Sequence, residues 1–182
     1  MMCMTNTWDT IGETVEYAGS WWQLHTKTMR SPRGHIGEYQ IVQDRSSVLV
    51  FGITSDGQVL LAREFFMAQE EYVFTLVAGF VPQGADPAGI ARQELLEEAG
   101  FEAGTWVDLG KSYQGKYMLG YNHFFLAKDI VRIAEQSLED EEDIDVMLVS
   151  VDEFKRILRR RDIQDVTEVA CAYAALDYLS LL

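Results

Sequence analysis

The segment Ala78 to Phe101, AGFVPQGADPAGIARQELLEEAGF, constrains this chain more than any other. Gly79 and Gly84 frame a loop that carries the chain out of a strand and into a helix. Asp86 suits the N-cap, Pro87 the first helical position and Gly100 the residue just past the end, which predicts a helix from about Pro87 to Ala99. On it, Glu94, Glu97 and Glu98 stand at i, i+3 and i+4 and share an arc of about 100°. Ala88, Ala91, Leu95 and Ala99 line a neighbouring face that would pack on a sheet. Three carboxylates this close repel one another and weaken the helix unless a cation sits among them. A solvated acidic face is the other reading of the same spacing. Hard divalent ions such as Mg²⁺ take oxygen ligands from a few carboxylates together with substrate phosphates. Glycines in the loop let backbone groups approach a metal or pyrophosphate without side-chain interference.

Strands are expected on both sides of that helix. Thr14 to Met29 carries aromatic and β-branched residues, Ser31-Pro32-Arg33-Gly34 signals a turn, and Glu38 to Gln43 resumes, so residues 14–45 read as strand, turn, strand. Ser47 to Ile53 and Gln58 to Arg63 flank Asp56-Gly57, a strong hairpin signal. Glu71 to Ala78, Thr105 to Leu109, Asn122 to Ala127 and Asp145 to Val151 read as further strands. Asp152 to Arg160 and Asp165 to Leu181 read as closing helices. One helix bracketed by strands, with two more at the end, predicts the α/β class, a mixed sheet between helices on both faces. A length of 182 residues suits one ordinary domain with a short extra element. We expect an N-terminal β-hairpin extension over 1–45 and the main domain over 46–182. A core of that size needs no metal or disulfide staple.

Charge narrows the function. Lys and Arg number 15 against 29 Asp and Glu, a formal charge of −14, which opposes binding to nucleic acid. If such a chain handles phosphates, its own field must first be cancelled, which again points to divalent cations. No apolar run approaches the roughly 18 residues of a membrane span. MMCMTNTWDT has neither the basic start nor the apolar stretch of a signal peptide. Cys3 and Cys171 stand in no metal-ligand spacing and read as reduced thiols of a cytoplasmic protein. His25, His35 and His123 are scattered and form no ligand pattern. Arg156, Arg159, Arg160 and Arg161 read as a solvated basic cluster that could balance an acidic loop. Thr167 and Cys171 read as packing positions.

The segment around the three glutamates resembles the Nudix hydrolase family. That family's motif is a glycine, five residues, a glutamate, seven residues, then R-E-U-x-E-E-x-G-U, with U a bulky apolar residue. Gly79, Glu94, Leu95, Glu97, Glu98, Gly100 and Phe101 match it in register. Ala85 stands where the motif has its first glutamate and Gln93 where it has arginine; a Glu and an Arg replaced together leave the net charge unchanged. The resemblance runs over roughly Val48 to Leu182. VLLAREFF and FTLVAGFVPQG look like the branch that hydrolyses ADP-ribose and nucleotide sugars, although Phe66 and Thr75 stand where that branch often has Arg and Glu.

The resemblance implies an α/β/α sandwich and a Mg²⁺- or Mn²⁺-dependent pyrophosphohydrolase. It implies metal ligands at Glu94, Glu97 and Glu98 and at the backbone carbonyl of Ala78. LEDEEDIDV, Leu138 to Val146, looks like the branch's mobile loop with a catalytic glutamate; Glu142 is chosen over Glu139, Asp140 and Glu141. Gly79, Arg63 and Trp22 are expected on the substrate side. Strand packing or an interface is the other reading of Trp21-Trp22, and the branch's dimers make the aromatic extension an expected homodimer surface. The reaction implied splits a nucleoside diphosphate linked to another group into a nucleoside monophosphate and a phosphorylated product. Ala85 and Gln93 motivate a second expectation, a Nudix-fold module that binds nucleotide without cleaving it. An acidic structural subunit without ligand is the third.

Overall fold

The computed structural model describes residues 7–140 and 142–182, so Cys3 and Glu141 lie outside the described residues. The chain divides into two compact units, one of residues 1–45 and 113–121, the other of 46–112 and 122–182. In the first, β1 (Asp9–Ala18), β2 (Gln23–Arg30) and β3 (Ile36–Gln43) form an antiparallel meander, and the two-residue strand Met118–Leu119 joins β3 in parallel.

The single strand expected over Thr14 to Met29 is therefore two. The Gly19 N–H donates to the Trp22 carbonyl at 3.0 Å and reverses the chain. Trp21 and Trp22 look like strand residues in sequence and so conceal the turn. The extension is a meander completed from elsewhere in the chain, not a lone hairpin. Trp8 meets Tyr39 edge-on, and Arg45 lies 4.6 Å from the centre of the Trp21 ring. Trp8, Val15, Tyr17, Trp21 and Trp22 nonetheless remain largely exposed.

The second unit is sorted by strand periodicity. β4 (Ser46–Ile53) is buried from Val48 onward, as a strand is when both faces of its sheet are covered. Leu49, Phe51 and Ile53 enter one apolar layer with Phe154 and Ile157 of the helix Val151–Arg160 and with Cys171, Ala172 and Leu176 of the helix Val166–Tyr178. Val48 and Val50, one residue out of phase, enter the other layer with Ala91, Leu95 and Ala99 of the helix Pro87–Ala99. In chain order these helices are α2, α3 and α1. A period of two places the mixed sheet between helices, the expected α/β/α arrangement. No helix among the described residues is long and apolar enough to cross a membrane.

β4 and β5 (Gln58–Phe66) meet through the expected turn, where Gly57 adopts φ 81°, but pair only at Ile53 and Val59 before splaying apart. The gap is filled by β6 (Glu71–Thr75), which pairs with β5, and β7 (Val77–Val81), which pairs with β4. The strand expected over Glu71 to Ala78 thus breaks at Leu76, where the chain crosses from one partner strand to the other. β8 (Phe101–Tyr113) and β10 (Tyr121–Arg132) run well beyond their expected bounds. β10 pairs in parallel with β4, and β11 (Ile144–Ser150) pairs antiparallel with β5. β9 is the short strand Met118–Leu119 already described.

The layer under α2 offers a direct test of this packing. Phe154 is fully buried, and its ring stands perpendicular to that of Phe51 at 5.2 Å. Phe154→Ala is expected to cost about 3–5 kcal/mol, read as a lower urea midpoint at unchanged slope. A loss within the range of ordinary surface substitutions would contradict the packing.

Candidate active site

Helix α1 begins and ends where its sequence says it should. The Asp86 carboxylate accepts from the N–H groups of Ala88 and Gly89, and Pro87 needs no acceptor. Gly100 ends the helix at φ 76°, and a Cβ there would lie 2.2 Å from the Ala134 carbonyl oxygen. That leaves room for glycine only, and the carbonyl of Gly100 in turn accepts from Ile133 and Ala134. The end of α1 is thus tied to the segment that leads into the acidic loop.

The helix lies flush against β7. A Cβ on Gly79 would lie 2.1 Å from Oε1 of Glu94, so the motif's first glycine is where the glutamate side chain crosses the strand. One turn on, Oε2 of Glu98 accepts from the Ala78 N–H at 3.2 Å. Burial, then the charges of Glu97, Glu142 and Glu139, push the Glu94 carboxyl up to about 7. Glu98 is only 7 % exposed; burial and then Glu94 raise its pKa well above the carboxylate range, against the pull of the Ala78 N–H. Two carboxyls that cannot easily both be charged are what a cation would stabilise.

The other expected residues fall out unevenly. Gln93 donates its amide to both oxygens of Glu97, at 3.2 and 3.0 Å. The amide thereby binds the carboxylate four residues on, as an arginine at that position could. Ala85 packs against the apolar layer of α1. The Glu142 carboxylate accepts from the Glu139 N–H at 2.8 Å. After burial, its charge adds to the raising of the Glu64, Glu94 and Glu98 carboxyls. Arg63 lies 3.8 Å from Asp145 and its guanidinium stacks 4.1 Å from the centre of the Tyr72 ring. Trp22 belongs to the first unit, where its ring meets that of Tyr17 at 4.8 Å.

Three residues escaped the sequence reading. Glu64 on β5 is half-buried, and burial followed by the Glu142 charge raises its pKa. Gln136 donates to the carbonyls of Glu98 and Ile144 at 2.6 and 2.9 Å, which fastens the root of the acidic loop to α1. Glu168 on α3 accepts from the Leu76 N–H at 3.0 Å inside the core. Glu64 sits in the VLLAREFF stretch beside Arg63; nothing local marks the other two, whose partners are supplied by distant strands.

Glu94 and Glu98 carry hard oxygen donors, and Ala78 lies beside them through its N–H bond to Glu98. Among the described residues no three Asp, Glu, His or Cys side chains already converge on one point as ligands. Mg²⁺ commonly takes one or two carboxylates and completes its shell with waters and substrate phosphates, so the donor chemistry fits such an ion.

The raised carboxyls have a sign. A carboxyl whose folded pKa exceeds its unfolded value contributes stability below the unfolded value and loses it as pH rises through the folded one. The metal-free protein is therefore expected to lose stability between pH 4.5 and about 7 as Glu94 ionises. Urea midpoints on either side of that window would show the fall, and Glu94→Gln should flatten it. An unchanged slope in that variant would contradict the assignment.

The chain is similar to known proteins over most of its length. A profile of the NUDIX domain matches residues 43–168. An ADP-ribose pyrophosphatase of Bacillus subtilis (strain 168) is 25 % identical over 174 residues, 94 % of this chain and 92 % of that one. A methanol dehydrogenase activator of Bacillus methanolicus is 24 % identical over 168 residues, 91 % and 88 % of the two chains. The crystal structure of an ADP compounds hydrolase superposes with a TM-score of 0.83 over 95 % of this chain and 94 % of its own, at 19 % identity, which is a likeness of fold. With the matched span enclosing the glycine-framed loop, α1 and the acidic loop, the chain belongs to the Nudix family of pyrophosphohydrolases.

Proposed function

We propose that this chain cleaves the pyrophosphate of a nucleoside diphosphate linked to another group, of the ADP-ribose or nucleotide-sugar type, with Mg²⁺ or Mn²⁺. The observation that carries this reading is the pair Glu94 and Glu98, two buried carboxyls held by α1 against Ala78 and Gly79. They would hold the ion with the Ala78 carbonyl, Glu97 assisting. A divalent ion bound there would neutralise the anionic oxygens that repel a nucleophile.

The rest falls to the chain's own groups. Gly79 leaves the strand bare where Glu94 crosses it, and Gln93 holds Glu97. The Arg63 guanidinium, about half exposed beside Asp145, is available to a phosphate, which fits its fork better than a carboxylate at 3.8 Å. Glu142 is the proposed general base. As the water oxygen bonds to phosphorus, its proton passes to that carboxylate. The bridging P–O bond breaks, and its electron pair leaves with the departing phosphate.

A panel of ADP-ribose, nucleotide sugars, dinucleotides and nucleoside triphosphates, assayed for phosphate products with Mg²⁺ or Mn²⁺, tests the reading. Hydrolysis of a diphosphate-linked substrate is expected, and Glu98→Gln should lower its rate about a thousandfold while the protein still folds. No turnover of any substrate, together with nucleotide-dependent thermal stabilisation, would replace the enzyme by a binding module.

The same reading includes a cytoplasmic homodimer that binds neither nucleic acid nor membrane. The unpaired Cys171 thiol, which burial pushes up to about 12, suits a reducing compartment. The formal charge of −14 opposes nucleic acid. The exposed aromatics of the β1–β3 meander support the dimer, since a small sheet needs something to pack against. Light scattering at micromolar concentration should give twice the 20.7 kDa chain mass; the mass of one chain would refute the dimer.

A further inference from the structure

We propose that Glu168 is a positioning residue: its carboxylate holds the Leu76 crossover and thereby sets the Ala78 carbonyl and its neighbour Glu98 in place. This deepens the functional reading above and rests on it for the role of Ala78.

The argument starts with an amide that neither strand ladder can satisfy. Thr75 is the last residue of β6 to pair with β5, and Val77 is the first of β7 to pair with β4. Leu76 falls between the two ladders and is 2 % exposed, so neither a strand nor water takes its N–H. Oε2 of Glu168 accepts it at 3.0 Å, from a residue 92 positions away. Two residues on, the Ala78 N–H goes to Glu98 at 3.2 Å. The crossover is thus held from α3 in one helical layer and from α1 in the other.

Local structure offers Glu168 a different role, which it does not take. Asp165 is the N-cap of α3, and Glu168 stands three residues on, where a glutamate ordinarily reaches back to the cap's own N–H. Its Oε2 is spent instead on another element. The position also lies in a helix whose inward face is otherwise apolar, through Cys171, Ala172, Ala175 and Leu176. A carboxylate only 5 % exposed there is costly to bury, and the crossover amide is the group that gains from it.

Three variants of the full chain separate positioning from general stability. Glu168→Gln keeps an acceptor oxygen at the same reach. Glu168→Met keeps the volume and loses the acceptor. Glu168→Asp keeps the carboxyl group and shortens the reach, and it carries the test if the Met variant does not fold. Amide hydrogen exchange across Leu76 to Ala78 in metal-free protein, Mn²⁺ binding by the electron paramagnetic resonance of the free ion, and kcat and KM on the best panel substrate are compared. The Met and Asp variants should exchange faster at those amides and bind Mn²⁺ about tenfold to a hundredfold more weakly, with kcat lowered more than KM is raised. The Gln variant should match the parent. Parent-like exchange and Mn²⁺ binding in Met or Asp, or a Gln variant as impaired as Met, would overturn the proposal. If the parent neither binds Mn²⁺ nor turns over substrate, the functional reading fails, while exchange at Leu76 still decides whether Glu168 holds the crossover.

Discussion

Close contact between helix α1 and strand β7 is the constraint on which the candidate site depends. Glu94 crosses the strand at a distance that only a glycine at position 79 allows, and Glu98 is turned inward onto the Ala78 amide. The contact buries two carboxyls together, and burial is the first cause of the raised pKa of each. That is an unfavourable arrangement for a protein without a ligand. It is a favourable one for a protein whose ligand brings positive charge. The same packing that stabilises the fold through Ala91, Leu95 and Ala99 thus creates the electrostatic demand that a divalent ion would meet.

A second constraint lies in the sheet. β4 and β5 separate after one residue pair, and β6 and β7 fill the wedge by changing partners at Leu76. Such a change leaves backbone groups without a ladder, and buried amides must find acceptors elsewhere. Here carboxylates from two helices supply them. An irregularity in the sheet and the polarity of the site are in this sense one feature.

The two departures from the family's motif look milder in the structure than in the sequence. Gln93 binds Glu97 through its amide, so the tie within the helix survives the loss of a guanidinium. Ala85 fills space in an apolar layer where the motif has a charge.

Local chemistry made much of this protein legible. The cap, the proline, the terminal glycine and the spacing of the three glutamates determine α1 by themselves, because each acts within one or two helical turns. Asp56-Gly57 determines its turn in the same way. The turn at Gly19 was hidden because Trp21-Trp22 resume strand propensity straight after the short Gly19-Ser20 signal. The break at Leu76 was not legible, since apolar residues run through it and only the choice of pairing partner ends a strand there. Glu64, Gln136 and Glu168 were hidden for the same reason. Each matters through a group far away in sequence, and burial, which raises a carboxyl or makes an amide need an acceptor, exists only once the chain is folded. The sequence by itself determined which carboxylates share a helix face; the tertiary structure alone decided which of them are buried, and against what.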